Sequence, residues 1–324
     1  MNSLPNIVAI GGGSGLAALL RGLKKYRANI TGVVTMTDNG ASSGRLSREM
    51  GVVPPGDVRK CLAAMADDED LVTQLFEYRF SKGRGISGHS LGNLFLLALT
   101  DITGSFDMAV EASSKILAIN GRVLPSTFDH VHVVAELGNG QMALGEKDIP
   151  VLGHRHGIRR VHLLPPEATA NTQAVEAISE ADLILVGPGS LQTSIVPNFL
   201  IAEIKSAFEK STARKVYICN ASTERGETEG FSAEDHVNTL REYVNGTRFD
   251  GVLVNCRSVM VSKKEGRLGS VRNITTDLDI LSGMPVFSLD VIDETRPLYH
   301  DSTKLGTAIA EIATKHFDIP LTLT

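Results

Sequence analysis

The amino terminus carries the pattern that most constrains the fold: a strand, a glycine turn, a helix and a second strand. Residues Asn6–Ile10 form a short apolar run that stops at Gly11–Gly13, and four leucines between positions 16 and 23 then recur at helical spacing. Ile30–Met36 is the next β-branched apolar run. Together these segments predict a right-handed βαβ unit, which is the building block of a parallel sheet.

The remaining apolar runs predict one doubly wound α/β domain over residues 1–324, with a mostly parallel sheet. From about residue 54 to 120 the periodicity is mainly helical, which indicates a helical insertion. His130–Leu137 and Gln141–Glu146 flank an Asn-Gly turn and predict a small hairpin, and a last helix is expected near Thr303–His316. Further strands, apolar on both faces, are expected at Val161–Leu164, Leu183–Val186, Val216–Cys219, Val252–Asn255 and Val286–Leu289.

Composition narrows the class of protein. The 324 residues carry a formal net charge of −5, which argues against a nucleic-acid partner. The longest apolar stretch, Leu94–Leu99, is too short to span a bilayer, and the first residues lack the basic segment of a signal peptide. We therefore expect a cytoplasmic protein without a membrane partner. Cys61, Cys219 and Cys256 form no C-x-x-C pair and are expected to be reduced thiols.

The first glycine loop has the pattern of an anion-binding turn. Gly13, Ser14 and Gly15 begin a G-x-G-x-x-A motif that follows a predicted strand and opens a predicted helix, and Gly12 precedes it. Glycines let a phosphate approach the backbone, and free N–H groups at a helix start favour an anion. The alternative is a plain turn of glycines. A dinucleotide-binding fingerprint also needs an acid after the second strand, and Asp38 lies near that point.

The polar loop Thr37–Arg48, which follows the second predicted strand, is the next candidate. Its small hydroxyl and glycine residues leave room for a ligand, and Arg45 can pair with a phosphate. Asp38 could hold a ribose hydroxyl or a metal ion, or it could only shape a turn. A flexible surface loop is the alternative for the whole segment. The candidate ligand-binding residues here are Asp38, Asn39, Ser43, Gly44 and Arg45.

Two predicted helix starts carry polar residues. Asp57 fits the N-cap of one helix, and Arg59 in its first turn opposes the helix dipole, which hints at an anionic partner. His89 and Asn93 lie at the start of the most apolar helix, where polar side chains face either a cap or a cleft. We include both among the candidate nucleotide-binding residues, although a structural role is the alternative.

A second phosphate-binding loop follows a later strand. Gly187, Gly189 and Ser190 come directly after the apolar run Leu183–Val186 and precede a predicted helix. Two such loops after two strands predict one crevice at a switch point of the sheet. The acidic segment Asn220–Gly230 follows another strand, and it is interpreted as a solvated loop, with a lid as the alternative.

These loops together resemble the YvcK-type gluconeogenesis factor family, whose enzymatic relatives are the CofD-like 2-phospho-L-lactate transferases. The resemblance covers nearly the whole chain, and several of its motifs are long. The segment Val259–Asn273 departs from the family pattern, so no contacts are inferred there. The matching segments are GGGSGL (11–16), SSGRLS (42–47), PPGDVRKCL (54–62), GHSLGNL (88–94), NGRVLPST (120–127), GPGSLQTSIVPN (187–198), GETEGFSAEDHV (226–237) and RPLYHDSTKL (296–305).

The resemblance implies a Rossmann-like three-layer α/β/α sandwich and a cytoplasmic regulatory protein. Such a protein is needed for growth and cell shape on gluconeogenic carbon sources, and it binds a nucleotide sugar of the UDP-N-acetylglucosamine or UDP-glucose type. The resemblance also implies that Gly12, Gly13 and Ser14 meet the ligand phosphates, while Gly187, Gly189 and Ser190 hold the same ligand. A homodimer is a further expectation taken from relatives.

The resemblance leaves two enzymatic alternatives. Asp38 matches the first acid of a pair associated with magnesium, which makes it the candidate catalytic and metal-binding residue of a phospholactate-type transferase. Asn39 stands where the family pattern has the second acid, and an amide oxygen holds a hard cation less strongly than a carboxylate. The other alternative, an NAD(P)-dependent oxidoreductase, depends only on the G-x-G-x-x-A motif and Asp38.

Overall fold

The computed structural model describes residues 4–67, 69–259 and 271–324. Most of the segment Val259–Asn273 therefore lies outside the described residues. Within the described ranges the strands are β1 Asn6–Gly11, β2 Asn29–Val34, β3 Arg122–Pro125, β4 His132–Leu137, β5 Met142–Leu144, β6 Ile158–Leu164, β7 Leu183–Val186, β8 Arg214–Ile218, β9 Gly251–Asn255, β10 Ile280–Leu281 and β11 Met284–Leu289. The helices are α1 Gly13–Leu23, α2 Ala41–Met50, α3 Gly56–Met65, α4 Glu69–Glu77, α5 Leu91–Thr103, α6 Phe106–Ile116, α7 Gly145–His156, α8 Thr172–Ser179, α9 Val196–Phe199, α10 Ala202–Lys210, α11 Ala233–Tyr243 and α12 Ser302–Phe317.

Strands from both halves of the chain form one eight-stranded sheet in the described residues, in the order β10-β11-β9-β8-β7-β1-β2-β3. All neighbours run parallel except β10, which pairs antiparallel with β11. In the middle of the sheet Ile7 of β1 lies opposite Ile30 of β2 on one side and Leu183 of β7 on the other. The strand order reverses direction at β1, so the gap between β1 and β7 is a topological switch point.

Helices cover both faces of this sheet. The chain moves across the sheet in one direction from β1 through β2 to β3, and in the opposite direction from β7 through β8 to β9. Because the crossovers are right-handed, the helices that connect the first set of strands lie on one face and those that connect the second set lie on the other. On one face α1 packs against β1, β2 and α3, and α12 packs on α1. On the other face α8 and α9 contact β1, and α10 packs against α8. The three-layer α/β/α sandwich expected from the sequence is confirmed.

The amino-terminal unit shows why this sequence folds as it does. Leu16, Leu19, Leu20 and Leu23 of α1 are all fully buried, which follows from their spacing along one side of the helix. Burial of a leucine side chain stabilises the fold by about 1.5–3 kcal/mol, so this row fixes α1 on the sheet. Two of the three cysteines, Cys61 and Cys219, are also buried, and Cys256 is exposed; all three are free thiols.

Five helices, α2 to α6, lie in the connection between β2 and β3. The helical insertion expected from about residue 54 therefore begins earlier, with α2. The sequence interpretation of Thr37–Arg48 as a loop is wrong over most of that segment. The segment buries the small polar residues Ser42 and Ser43, and Leu46 is its one large buried apolar residue. Its sequence therefore lacks the apolar periodicity by which a helix is recognised.

The predicted hairpin is confirmed, with β4 and β5 paired antiparallel. Its second strand is shorter than expected because α7 begins at Gly145. Val161–Leu164 was expected to be a strand of the parallel sheet, apolar on both faces, and that prediction is wrong, because β6 pairs antiparallel with β4 and completes a small three-stranded sheet. Val161 and Leu163 are buried while their neighbours Arg160 and His162 are exposed, the alternation of a strand with one solvated face.

No single helix among the described residues is long and apolar enough to cross a membrane. Helices α5 and α6 meet the length and composition criteria only as a pair, and that pair is bent by 117°.

Candidate functional site

A cleft of about 710 Å³ opens at the carboxyl edge of the parallel sheet, over the switch point between β1 and β7. This volume is within the usual range of a small-molecule site. Its basic lining residues are Arg21, Arg59, Lys60, Arg225 and Arg296. Its acidic lining residues are Asp57, Glu77, Glu146, Glu224 and Glu227.

The first glycine loop forms one wall of the cleft, as the sequence predicts. Gly12, Gly13, Ser14 and Gly15 all line it, and α1 begins within the loop. The first N–H groups of a helix have no partner inside the helix and attract negative charge. One of them is already used: the backbone N–H of Gly13 donates to Oδ2 of Asp57 at 2.7 Å.

Asp57 was expected to cap a helix, and that prediction is wrong. Helix α3 begins at Gly56, with Pro55 at the N-cap position and no side-chain cap. The Asp57 carboxylate instead accepts the Gly13 N–H and a 2.8 Å bond from Nζ of Lys60. The sheet topology brings the start of α3 beside the first glycine loop, and two strong donors there outweigh a local cap.

The second glycine loop forms the adjoining wall. Gly189 and Ser190 line the cleft. Gly187 directly follows β7, and a Cβ added there would lie 2.8 Å from the carbonyl oxygen of Ile218. The Gly189 N–H donates to Oδ1 of Asn220 at 3.0 Å. The chain then enters a π-helical turn, Leu191–Ile195, which continues into α9. A second helix start therefore faces the same cleft.

The two glycine loops are in direct contact. A Cβ atom added at Gly15 would lie 2.5 Å from the carbonyl oxygen of Pro188, so only glycine allows the loops to approach this closely. The crevice that the sequence predicts from two strand-end loops is present in the structure.

Arg59, which the sequence interpretation linked to an anion, is 6% exposed and lines the cleft. Its Nη1 donates to the backbone oxygen of Phe76 at 2.9 Å. Its Nε is buried and has no hydrogen-bond partner among the described residues. Burial lowers the pKa of the guanidinium, but Arg stays protonated at any physiological pH, so an anion in the cleft would meet a fixed positive charge.

The polar residues after β2 lie together beside this wall, but they are not part of the cleft lining. Asp38 accepts a 2.9 Å hydrogen bond from the Gly40 N–H, and burial together with the charge of Asp57 raises its pKa. The Asn39 side chain packs against the backbone at Gly145 of α7, and Gly44 of α2 packs against the Asn39 carbonyl group. A direct role for Asp38, Asn39 and Gly44 in ligand binding stays a prediction.

The other four predicted residues of this region tie α2 to α5. Oγ of Ser42 lies 2.9 Å from Nδ1 of His89, and the Asn93 amide donates to Oγ of Ser42 at 3.1 Å and of Ser43 at 3.2 Å. Arg45 donates to the backbone oxygen of Ser87 at 2.8 Å. Burial, followed by the charge of Arg45, lowers the pKa of His89. These contacts use the amide N–H of Asn93, while its Oδ1 is buried and has no hydrogen-bond partner among the described residues. Ligand contacts at Ser43, Arg45, His89 and Asn93 stay predictions.

Asp38 was also the candidate metal ligand. The described residues contain no group of three histidine, cysteine, aspartate or glutamate side chains arranged to hold a metal ion. The neighbouring Asn39 contributes only a neutral oxygen. The carboxyl groups of Asp57 and Glu146 act electrostatically on Asp38 or with it, and the magnesium-binding and catalytic roles of Asp38 stay predictions.

Sequence reasoning missed four acidic residues of the cleft, namely Glu77, Glu146, Glu224 and Glu227. Glu146 of α7 has an unpartnered buried Oε1, and burial followed by the charges of Asp57 and Asp38 raises its pKa well above the usual value. Glu224 and Glu227 lie in the loop after β8 that was interpreted as solvated. That interpretation is wrong for these two side chains, because Glu227 is only 9% exposed and both line the cleft. A signal was available for Glu227, since GETEG (226–230) begins one of the long segments that carry the family resemblance.

Comparison with known proteins identifies the family. The sequence model of the family described as 2-phospho-L-lactate transferase CofD matches residues 7–288. The chain belongs to the CofD family. A gluconeogenesis factor from Bacillus subtilis is 42% identical over 319 residues, which cover 96% of this chain and 99% of the relative.

Two further CofD-family comparisons agree with this assignment. A putative gluconeogenesis factor from Nostoc sp. is 51% identical over 256 residues, which cover 78% of this chain but only 56% of that relative. A crystal structure of a UPF0052-family protein from Bacillus halodurans matches with a TM-score of 0.88 and 40% identity over 95% of this chain and 99% of that one. The predicted resemblance to the gluconeogenesis factors is confirmed, and so is the fold.

Proposed function

We propose that this CofD-family chain is a regulatory protein that binds a nucleotide sugar of the UDP-N-acetylglucosamine or UDP-glucose type in the cleft. The observation that carries the proposal is the contact of two glycine loops at the switch point of the sheet, with Gly15 against Pro188. Each loop opens a helix toward the cleft. Asp57 uses the N–H of Gly13, and Glu227 uses those of Gln192 and Thr193, so a diphosphate would bind the remaining N–H groups of the two helix starts.

The charges of the cleft support a diphosphate ligand with a hydroxyl-rich group. The unpartnered Nε of Arg59 offers a fixed cationic donor for a phosphate. Acidic side chains such as Glu227 offer acceptors for hydroxyl groups. The relatives are named gluconeogenesis factor, which supports a link of this chain to gluconeogenesis.

Thermal stability against a ligand panel tests the binding proposal. The panel contains UDP-N-acetylglucosamine, UDP-glucose, UDP, GDP, NAD and NADP, each with and without magnesium. A ligand at 100 times its Kd stabilises the fold by about 2.7 kcal/mol, which raises Tm by roughly 2–4 °C in a chain of this length. We expect a magnesium-independent shift with the UDP sugars. A shift only with GDP and magnesium would favour the transferase, and one only with NAD or NADP the oxidoreductase.

Growth of a strain that lacks the protein tests the regulatory part of the proposal. We expect slow growth and altered cell shape on a gluconeogenic carbon source, with rescue by the wild-type chain. A Gly15→Ala variant, which separates the two loops, should fail to rescue at equal abundance. Normal growth of the deletion strain would contradict the regulatory role.

Fractionation of the same cells tests the cytoplasmic location. Light scattering of the purified chain tests whether it forms the expected homodimer.

A further inference from the structure

The acid pair Glu224 and Glu227 forms part of the cleft wall beside the second glycine loop. Oε1 of Glu227 accepts the Thr193 hydroxyl at 3.0 Å, and its carboxylate also accepts backbone N–H groups at Gln192 and Thr193. The carboxylate of Glu224 accepts a hydrogen bond from the Ser190 hydroxyl. Both acids are therefore bound on one side by the loop that follows β7.

The loop that carries this pair is held by packing against α7 and by its own hydrogen bonds. A Cβ atom added at Gly226 would lie 1.8 Å from the carbonyl oxygen of Pro150 in α7, so the loop is packed directly on that helix. The Glu224 N–H donates to Oγ1 of Thr228 at 2.9 Å, and the Thr228 N–H donates back to the Glu224 carbonyl at 2.9 Å. The position of the two carboxyl groups is therefore set before any ligand arrives.

The second oxygen of each acid is unsatisfied. Oε2 of Glu224 and Oε2 of Glu227 are buried and have no hydrogen-bond partner among the described residues. A buried carboxylate oxygen is costly to leave without a donor, so native structures provide one. Both residues line the cleft, so a molecule bound there can provide the donors. Burial raises the pKa of Glu224 to about 7, and burial with the charge of Glu224 raises that of Glu227 to about 8.

The chemistry of the pair selects the kind of group that it can bind. Two carboxyl groups repel a phosphate, which has better partners in the helix starts and in Arg59. Neutral hydroxyl groups can donate to both unsatisfied oxygens without a change in charge. The position beside Ser190 places these oxygens next to the loop expected to hold a phosphate.

We propose that Glu224 and Glu227 accept hydrogen bonds from hydroxyl groups of the bound nucleotide's sugar and so determine which ligands the cleft takes. This role rests on the proposed nucleotide-sugar binding. The hydroxyl groups belong either to the ribose or to the sugar beyond the diphosphate, and these two sources share the same hydrogen-bond chemistry.

Titration calorimetry with UDP-N-acetylglucosamine and with UDP tests this role in the full chain. The variants are Glu224→Gln and Glu227→Gln, with Glu203→Gln on the exposed start of α10 as the matched control. We expect each cleft variant to weaken UDP-N-acetylglucosamine binding roughly 3- to 10-fold at neutral pH, the size of one neutral hydrogen bond, because the raised pKa values keep much of the pair uncharged there. The control should bind as the wild type does.

Comparison of the two ligands distinguishes the two sources of hydroxyl groups. A loss confined to UDP-N-acetylglucosamine assigns the pair to the sugar beyond the diphosphate, and an equal loss with UDP assigns it to the ribose. Wild-type protein with 2′-deoxy-UDP and with UDP-2-deoxyglucose gives the same answer without any substitution, so a variant that fails to fold leaves the test intact. The inference would be overturned, with the proposed function left standing, if both cleft variants bound with the wild-type Kd and both deoxy ligands bound the wild-type chain as tightly as their hydroxylated counterparts. Failure of the wild-type chain to bind any UDP sugar would overturn the proposed function as well.

Discussion

The carboxylate of Asp57 accepts a 2.7 Å hydrogen bond from the backbone N–H of Gly13, which lies 44 residues away in the chain. An anion is thus already bound at the start of α1, the place where the sequence motif predicts a ligand phosphate. Lys60 balances this charge through a 2.8 Å ion pair, and Asp57 with its hydrogen bond raises the pKa of Lys60 even though burial acts in the opposite direction. The start of α1 is therefore held in place by the protein itself.

Asp57→Ala should destabilise the fold by about 1–3 kcal/mol, because it leaves a partly buried N–H and a partly buried ammonium group without their partner. Asp57→Asn keeps an acceptor for the Gly13 N–H and should lose less unfolding free energy. Urea denaturation measures the unfolding free energy of both variants. Asp101→Ala on the exposed part of α5 is the control and should stay within about 0.5 kcal/mol of the wild type. Equal stability of the Asp57→Ala and Asp101→Ala variants would show that the contact has no structural role.

Gly15→Ala should destabilise the contact between the two glycine loops. The new Cβ would lie 2.5 Å from the carbonyl oxygen of Pro188, and backbone atoms cannot move aside as a flexible side chain can. We expect a loss of about 1–3 kcal/mol from overpacking, measured as the change in unfolding free energy. Ser14→Ala, at the exposed neighbouring position, is the control and should be close to neutral. A Gly15→Ala variant as stable as the control would contradict the close approach of the loops.

Gly226→Ala should be more destabilising than Gly230→Ala. Both glycines have nearly the same backbone conformation, with φ of +78° and +79°, so the strain of adding a side chain is the same. Only at Gly226 would the new Cβ meet the backbone of Pro150, whereas nothing lies within 4 Å at Gly230. We expect Gly230→Ala to lose about 1 kcal/mol and Gly226→Ala about 1–3 kcal/mol more in urea denaturation. Equal losses would mean that the loop does not pack on α7.

Stability should fall as the pH rises from 6.5 to 8. Burial raises the pKa of Glu224 from 4.5 to about 7, and burial with the Glu224 charge raises that of Glu227 to about 8. Between pH 4.5 and 8 the folded state therefore holds more protons than the unfolded state, so the stability present below pH 4.5 is lost as the pH rises through the folded pKa values. The loss between pH 6.5 and 8 should be about 2–3 kcal/mol.

Glu227→Gln should flatten this decline, and Glu203→Gln should not. The comparison is made above pH 6.5 because burial lowers the pKa of His300 to about 4, which gives a slope of opposite sign between pH 4 and 6.5. Urea denaturation at pH 6.5, 7.2 and 8 measures the effect. A Glu227→Gln variant with the wild-type slope would show that this carboxyl group does not take up a proton in the folded state.

Local sequence was sufficient to determine the central part of the fold and both glycine loops. Leu183–Val186 was placed at its observed bounds, and β1 and α1 were placed within a residue or two, because apolar periodicity and glycine position are local properties. The same local signals put Gly12, Gly13, Ser14, Gly15, Gly189 and Ser190 in the cleft wall. The segments that misled the sequence interpretation, α2 and β6, bury few large apolar residues, so their pattern is weak.

Only the tertiary structure decided which side chains complete the cleft. Asp57 meets Gly13 across 44 residues, and Glu227 meets Thr193 across 34. The order of strands in the sheet brings these loops to one edge, and no local periodicity encodes that order. The sequence of an acidic loop predicts solvated carboxyl groups, and only the folded structure shows that some of them are buried. The sequence thus determined where the two glycine loops lie, and the packing of α3, α7 and the loop after β8 decided which charged groups surround them.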